Sequence, residues 1–184
     1  MNLFEYQGKR LYRDFSIPTP KSIFVSKTSE ISYDHGLTYP VVVKAQVQVG
    51  GRGKAGGIKV AKDFNELTKF SDEILGMDIK GHIVESLLLE EASNILEEYY
   101  ISFTLDRSAK SYLMMLSAKG GMDIEEVAEK NPDDLIMLHI PPSKGLDSET
   151  IIKSIEDAKL NESYKAELSD VISKLYKLFV EGDC

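Results

Sequence analysis

Apolar residues recur at helical spacing in three regions of the chain, at residues 3–15, 64–75 and 149–180. Prolines follow the first region, Asp63 is a suitable N-cap for the second, and Gly76 is suited to end it. The third region carries two apolar stripes and extends almost to the last residue. The pattern therefore predicts helices at both ends of the chain and one between them.

Short apolar or β-branched runs between these regions predict strands at residues 22–26, 41–47, 58–61, 82–89, 99–105 and 112–118. The second run is apolar enough to be buried on both faces, and the last two are expected to pair across a turn. Asp123 is expected to cap a short helix through Val127 and Ala128. Together these elements predict a mixed α/β chain, as one domain or two small lobes around a cleft.

Composition and charge narrow the classes of protein that fit this pattern. The 184 residues are 42% hydrophobic with a formal net charge of −8, which excludes a disordered chain and disfavours a nucleic-acid partner. No apolar run approaches the roughly 18 residues of a membrane span, and the N-terminus lacks the apolar segment of a signal peptide. The single cysteine, Cys184, fits a reducing compartment. We therefore expect a cytoplasmic protein with no nucleic-acid or membrane partner.

The least random feature is a run of five glycines within residues 50–57, interleaved with Arg52 and Lys54. A dinucleotide-binding fold is disfavoured because a strand, not a helix, is predicted to follow the run. A Walker A loop is disfavoured because Ala55 stands where that loop needs a serine or threonine. The run therefore predicts a hairpin whose backbone N–H groups and basic side chains cover a polyphosphate. The alternative is a surface hairpin whose glycines only form turns.

Lys44 stands inside the apolar run that precedes the glycines. Burying its ammonium group is costly without an anion, so the sequence indicates either a lysine beside phosphate or one that reaches the surface or pairs with an acid. Four carboxylates bracket the next loop, Glu90, Glu91, Glu97 and Glu98, and the residues alone do not show which of them holds ribose hydroxyls or whether all are solvated. The three histidines lack metal-ligand spacing, which argues against a metal site made by this chain alone.

Three segments together resemble the start of the β subunit of succinyl-CoA synthetases: residues 1–7 (MNLFEYQ), 43–47 (VKAQV) and 50–57 (GGRGKAGG). Later segments keep that family's order and spacing, at residues 75–82, 97–100, 106–107 and 120–125. The resemblance covers the whole chain. At residues 48–49 and 76–83, the sequence is most similar to a bacterial, actinobacterial-like branch of that family.

The resemblance implies an α+β ATP-grasp fold over residues 1–184, truncated before the family's metal-binding strand and its ligase domain. Residues from about 20 to 95 would form the smaller lobe, with the glycine hairpin as its flap. The remainder, including helices at residues 149–180, would belong to the larger lobe. No catalytic residue or metal ligand is implied within this chain, because the family's metal ligands lie beyond Cys184.

The resemblance also assigns nucleotide-binding roles by position. Lys44, Gly51, Arg52 and Gly53 would contact the phosphates. Lys119 stands where most members of the family have a glutamate, a charge reversal whose effect the sequence does not define.

The base and the sugar of the nucleotide would lie against a second group of residues. The strand from Glu90 to Ser93 would read the purine edge through its backbone, and Glu98 would hold the ribose. Pro40 and Ile101 stand where the family distinguishes adenine from guanine nucleotides.

The activity implied by the resemblance is a step of the tricarboxylic acid cycle, in which succinate, CoA and ATP (or GTP) give succinyl-CoA, ADP (or GDP) and phosphate. A phosphohistidine on an α subunit would carry the phosphoryl group in an αβ or α2β2 assembly, with Mg²⁺ bound by the full-length protein. The 184 residues alone would then be inactive. The alternatives are a malate–CoA ligase or other acid–CoA ligase, and a non-catalytic nucleotide-binding module whose C-terminal helices pack on a partner.

Overall fold

The computed structural model describes residues 3–121, 124, 129 and 132–183. The described chain divides into two compact units. The first contains the residues up to Asp14 together with Pro18–Asn94, and the second contains Phe15–Ile17 together with the residues from Ile95 onward. The helix expected from Asp123 lies outside the described residues.

The first unit is built on a four-stranded antiparallel sheet and two helices. Its sheet order is β1-β6-β2-β3, and a separate antiparallel ribbon pairs β4 with β5. Its elements are α1 (Glu5–Asp14), β1 (Ser22–Val25), a 3-10 helix (Thr28–Glu30), β2 (Val41–Ala45), β3 (Ile58–Ala61), α2 (Phe64–Ile74), β4 (Asp78–Ile79), β5 (His82–Ile83) and β6 (Leu87–Glu91).

The two faces of strand β2 differ in burial: one packs into the hydrophobic core and the other is more polar. Val41, Val43 and Ala45 are fully buried in the core with Leu67 of α2, because alternate residues of a strand point to the same face. Lys44 and its neighbour Val42 are only half-buried on the opposite face. The expectation that this strand is buried on both faces was therefore wrong, and its second face is available for polar contacts.

Over residues 132–183 and the described residues before them, the second unit combines a three-stranded antiparallel sheet with two helices of ten residues or more. The sheet order is β7-β8-β9. Buried residues of β8 and β9 form its core with those of the helices, among them Met114, Leu116, Ile151 and Ile172. No helix in the described part of the chain is long and apolar enough to cross a membrane. The elements are β7 (Tyr100–Asp106), β8 (Ser111–Ser117), a 3-10 helix (Pro132–Asp134), β9 (Ile136–Ile140), α3 (Ser148–Asp157), a 3-10 helix (Glu162–Tyr164) and α4 (Lys165–Glu181).

Most of the predicted elements are confirmed, and the differences have local causes. Asp63 caps α2 by accepting a hydrogen bond from the Glu66 backbone N–H at 2.9 Å, and Gly76 follows the helix with a φ of 81°. The single strand expected at residues 82–89 was wrong, because the chain leaves the β4–β5 ribbon before it enters the main sheet as β6. Strand β9 was not predicted, since it is a five-residue run between prolines.

Leu67 should contribute strongly to the stability of the first unit because its side chain is fully buried between α2 and the sheet. We expect Leu67→Ala to lower the free energy of unfolding by about 2–5 kcal/mol, through lost apolar burial and the cavity that remains. The matched control is Leu96→Ala, at a side chain that is 71% exposed, for which a change within about 0.5 kcal/mol is expected. Equal losses in chemical denaturation of the two variants would contradict this assignment of the core.

Candidate functional site

The glycine-rich segment forms an ordered connection between β2 and β3. The backbone N–H of Ala45 donates to the carbonyl of Gly57 at 2.8 Å, and the N–H of Gly57 donates to the carbonyl of Arg52 at 2.8 Å. A Cβ atom on Gly57 would lie 2.6 Å from the Cδ1 atom of Ile79 and 3.1 Å from the Cβ atom of Ala45, so this position is tightly packed. The loop therefore packs closely on Ile79 of β4.

A cleft of about 670 Å³ opens beside this loop and is lined by residues 47–54 with Leu3, Glu5 and Ile58. Of the four residues that the resemblance assigns to phosphate binding, Gly51, Arg52 and Gly53 lie in its wall, whereas Lys44 is not among its lining residues. Lys80 holds the loop from the other side, donating from Nζ to the Gly50 carbonyl at 2.9 Å. The volume lies within the range of roughly 300–1,000 Å³ typical of small-molecule sites.

Three cations and two carboxylates form a connected cluster at the edge of the cleft, which we call the ion cluster: Glu5, Lys9, Lys44, Arg52 and Glu90. The Nζ atom of Lys44 lies 3.0 Å from Glu5 Oε1 and 2.6 Å from Glu90 Oε1. Lys9 contacts both carboxylates, at 3.2 Å from Glu5 and in a closer contact with Glu90. Arg52 lies 2.9 Å from the second oxygen of Glu5. The formal excess of one positive charge suits an anionic ligand.

Carboxylates of the ion cluster accommodate Lys44 in an otherwise apolar strand. Lys44 pairs with carboxylates, which is one of the alternatives that the sequence indicates, and its expected contact with phosphate stays a prediction. Glu90 lies on β6 opposite Val42, so its side chain is diagonal to that of Lys44 on the same face of the sheet. Helix α1 covers this face and supplies Glu5 and Lys9, which the sequence analysis missed. Glu5 and Lys9 are four residues apart, a spacing that predicts an ion pair on one face of a helix. That spacing does not indicate which strand the helix covers.

The ion cluster shifts the pKa values of Glu5 and Lys9. Burial favours the neutral form and would raise the pKa of Glu5, but the positive charges of Lys44, Lys9 and Arg52 outweigh burial and lower the pKa to about 2. Burial and the neighbouring charge of Lys44 lower the pKa of Lys9, against the opposite effect of Glu5. The carboxylate of Glu5 therefore remains charged at any physiological pH.

The end of β6 meets the segment that contains Pro40. The backbone N–H of Ala92 donates to the carbonyl of Pro40 at 2.9 Å, which brings Pro40 beside the strand expected to read the purine edge. The Glu90 side chain is buried in the ion cluster, whereas Ser93 is exposed just beyond the strand. Thr38 is tied to the same region, donating its N–H to Glu91 Oε1 at 2.8 Å.

Glu98 and Ile101 belong to the second unit. The backbone carbonyl of Glu98 accepts a hydrogen bond from the N–H of Gly120 at 3.0 Å, and its side chain is exposed. A Cβ atom on Gly120 would lie 2.5 Å from the Glu98 carbonyl carbon, so only glycine permits this approach. Ile101 is half-buried on β7 opposite Leu116. The roles expected for Glu98 and Ile101 in nucleotide binding stay predictions.

Comparison with known proteins gives the family. The ATP-grasp domain matches residues 2–184, almost the whole chain. This chain belongs to the ATP-grasp family. The solved structure of Ca. Korarchaeum cryptofilum ACD1 in complex with coenzyme A superposes with a TM-score of 0.76 at 20% identity, covering 97% of this chain and 80% of that one. The α+β ATP-grasp fold expected from the sequence is therefore confirmed.

Relatives that match the chain from end to end include two named succinate–CoA ligase (ADP-forming) subunit beta. The protein of Halobacterium salinarum is 41% identical over 184 residues, which is 100% of this chain and 48% of the relative. The protein of Methanocaldococcus jannaschii is 43% identical over 183 residues, which is 100% of this chain and 50% of the relative. This ATP-grasp chain thus spans about half the length of the curated relatives it matches. Both relatives are archaeal, so the expected similarity to a bacterial, actinobacterial-like branch has no support.

The described residues of this ATP-grasp chain contain no group of three or more His, Cys, Asp or Glu placed to hold a metal ion. Within the ion cluster, the oxygens of Glu5 and Glu90 already accept contacts from lysine and arginine. These two carboxylates therefore do not form a free donor set for Mg²⁺.

The low pKa of Glu5 predicts a pH dependence of stability. The carboxyl group has an ordinary pKa of 4.5 in the unfolded chain and a pKa of about 2 in the folded protein. Its contribution to stability is therefore present above the unfolded value and is lost as the pH falls towards the folded value. As the pH falls from the unfolded to the folded pKa, the free energy of unfolding should decrease by about 1–3 kcal/mol more in the wild-type protein than in Glu5→Gln. The lower figure allows for solvent screening of the charges.

The measurement is denaturant unfolding of both proteins at a series of pH values. Other carboxylates titrate in the same interval, and the difference between the two proteins removes their common contribution. Parallel curves for wild type and Glu5→Gln would contradict the assigned pKa shift.

Proposed function

We propose that this chain is the nucleotide-binding part of the β subunit of an ADP-forming succinate–CoA ligase. The whole protein would convert succinate, CoA and ATP to succinyl-CoA, ADP and phosphate, in the cytoplasm and as a step of the tricarboxylic acid cycle. The observation that carries the proposal is the end-to-end match to relatives of that name at 41–43% identity. The basic cleft beside the glycine loop supports it, because a nucleotide needs positive charge and backbone donors at its phosphates.

Each feature of the cleft has a place in phosphoryl transfer, which depends on positioning and charge neutralisation. Lys44 and Arg52 would neutralise the phosphates, and Glu5 already holds both side chains within the ion cluster. Gly51 and Gly53 would let the backbone approach the phosphate oxygens, since neither residue places a side chain in the cleft.

The base and ribose would be held outside the ion cluster. The backbone from Glu90 to Ser93 would read the purine edge, and Pro40, whose carbonyl accepts from the Ala92 N–H, would take part in distinguishing adenine from guanine. Glu98 would hold the ribose, and Ile101 would act with Pro40 in base selection. The side chain of Glu90 serves the ion cluster, and the strand that carries it pairs with β1 and β2 on its two sides.

The remaining parts of the reaction lie outside these 184 residues. A histidine of an α subunit would carry the phosphoryl group, in an αβ or α2β2 assembly. Mg²⁺ would neutralise charge on the nucleotide, held by residues in the part of the relatives that this chain does not span. We therefore expect the 184 residues alone to bind nucleotide weakly and to show no turnover. Formation of acyl-CoA by this chain with the α subunit would contradict that expectation.

Lys44→Ala tests the nucleotide site directly. The substitution removes a charge-assisted contact worth about 1.5–3 kcal/mol, so the dissociation constant for ADP in the full-length protein should rise roughly 10- to 100-fold. The matched control is Lys59→Ala. Lys59 lies on the neighbouring strand but faces α2, where it pairs with Glu73 and lies over Phe70. Calorimetric titration should show nearly wild-type affinity for Lys59→Ala, and equal losses in the two variants would contradict the assignment.

The acid substrate is tested with the full-length protein and its α subunit. Formation of ADP that depends on both CoA and the acid should be at least about tenfold more efficient in kcat/KM with succinate than with malate. A higher efficiency with malate would instead identify a malate–CoA ligase. Nucleotide binding without turnover on any acid would favour the non-catalytic binding module.

A further inference from the structure

The first turn of α1 is joined to the strand that leads into the glycine loop by two separate contacts. The side chain of Glu5 binds Lys44 and Arg52, while the backbone N–H of Tyr6 donates to Gln46 Oε1 at 3.1 Å. Gln46 is 3% exposed, and its Nε2 atom donates to the carbonyls of Lys44 and Ala45 at 3.2 Å each. This double attachment fixes the position of Glu5 relative to the loop.

Each oxygen of Glu5 holds a different cation. Oε1 accepts from Lys44 at 3.0 Å and Oε2 accepts from Arg52 at 2.9 Å. Lys44 comes from the regular strand β2 and Arg52 from the loop that follows it, so the two would repel each other without an anion between them. Glu90 does not replace Glu5 here, because its two oxygens are occupied by Lys44 and Lys9.

The arrangement also leaves Arg52 pre-organised. Its Nη1 atom donates to the carbonyl of Ala45 at 2.8 Å, while Nη2 binds Glu5. A guanidinium fixed at two points loses less side-chain freedom when it binds a ligand. Glu5 and Arg52 both line the cleft beside the glycine loop, and Lys44 adjoins them through its contact with Glu5.

We propose that Glu5 is a positioning residue for the phosphates of the bound nucleotide, holding Lys44 and Arg52 in a fixed, separated arrangement. The proposal rests on the proposed function and goes beyond it, because it makes helix α1 part of the phosphate site. The opposite possibility is that Glu5 is an internal competitor that occupies both cations in place of phosphate. The two roles predict opposite signs for the same substitution.

Glu5→Gln distinguishes these roles because it removes a negative charge and keeps the shape of the side chain. By charge alone, the variant should bind ADP more tightly, since the positive excess of the ion cluster increases. A positioning role predicts the reverse, with a dissociation constant for ADP at least about tenfold higher in the full-length protein. Affinity for adenosine, which has no phosphates, should stay within about twofold, as followed by ligand-observed NMR.

Two further variants complete the test. Glu5→Asp keeps the charge but shortens the side chain by one methylene, so it should also weaken ADP binding, and it serves if Glu5→Gln does not fold. Glu73→Gln removes a carboxylate from an ion pair with Lys59 on the α2 side of the same unit and should leave both affinities unchanged.

Unchanged or tighter ADP binding by Glu5→Gln overturns the positioning role, and parallel losses of ADP and adenosine binding overturn it as well, since they indicate a general structural defect. If Lys44→Ala weakens ADP binding in either case, the proposed function stands without the role of Glu5. If the wild-type protein binds no ADP, the proposed function fails and the positioning role fails with it.

Discussion

The neutralisation of Lys44 is the constraint on which the rest of the first unit depends. A lysine in the middle of a half-buried strand needs carboxylate partners, because the free energy of removing an ammonium group from water is not recovered by apolar contacts. Here the partners come from β6 and from α1, at 2.6 and 3.0 Å. Helix α1 therefore has to cover this face of the sheet, and its coverage brings Glu5 to the edge of the cleft.

The two faces of β2 have different roles: one packs into the core and the other carries Lys44. Val41, Val43 and Ala45 pack into a fully buried core with α2, which fixes the backbone of the strand. The same backbone then holds Lys44 and leads directly into the loop, where the tight packing of Gly57 on Ile79 leaves little freedom. Rigid packing on one face thus supports precise placement of charge on the other.

The second unit shows the same dependence of a polar group on close packing. Gly120 approaches the backbone of Glu98 so closely that any side chain would collide with it. Glu97 is held by Tyr99 and by the Asn161 side chain, whose Nδ2 atom donates at 2.7 Å. Contacts on both sides of Glu98 therefore fix its backbone while its own side chain remains exposed.

Local features of this protein were determined by the sequence itself: the cap at Asp63, the end of α2 at Gly76, and the glycine hairpin with its basic residues. These depend on neighbouring residues, whose hydrogen bonds and backbone angles are visible in a short segment. The split of residues 82–89 between two sheets, the short β9, and the contacts of Lys44 with Glu5 and Glu90 were decided only by the tertiary structure. Those two partners lie 39 and 46 positions away, and their meeting depends on strand pairing and helix packing, which no local pattern encodes.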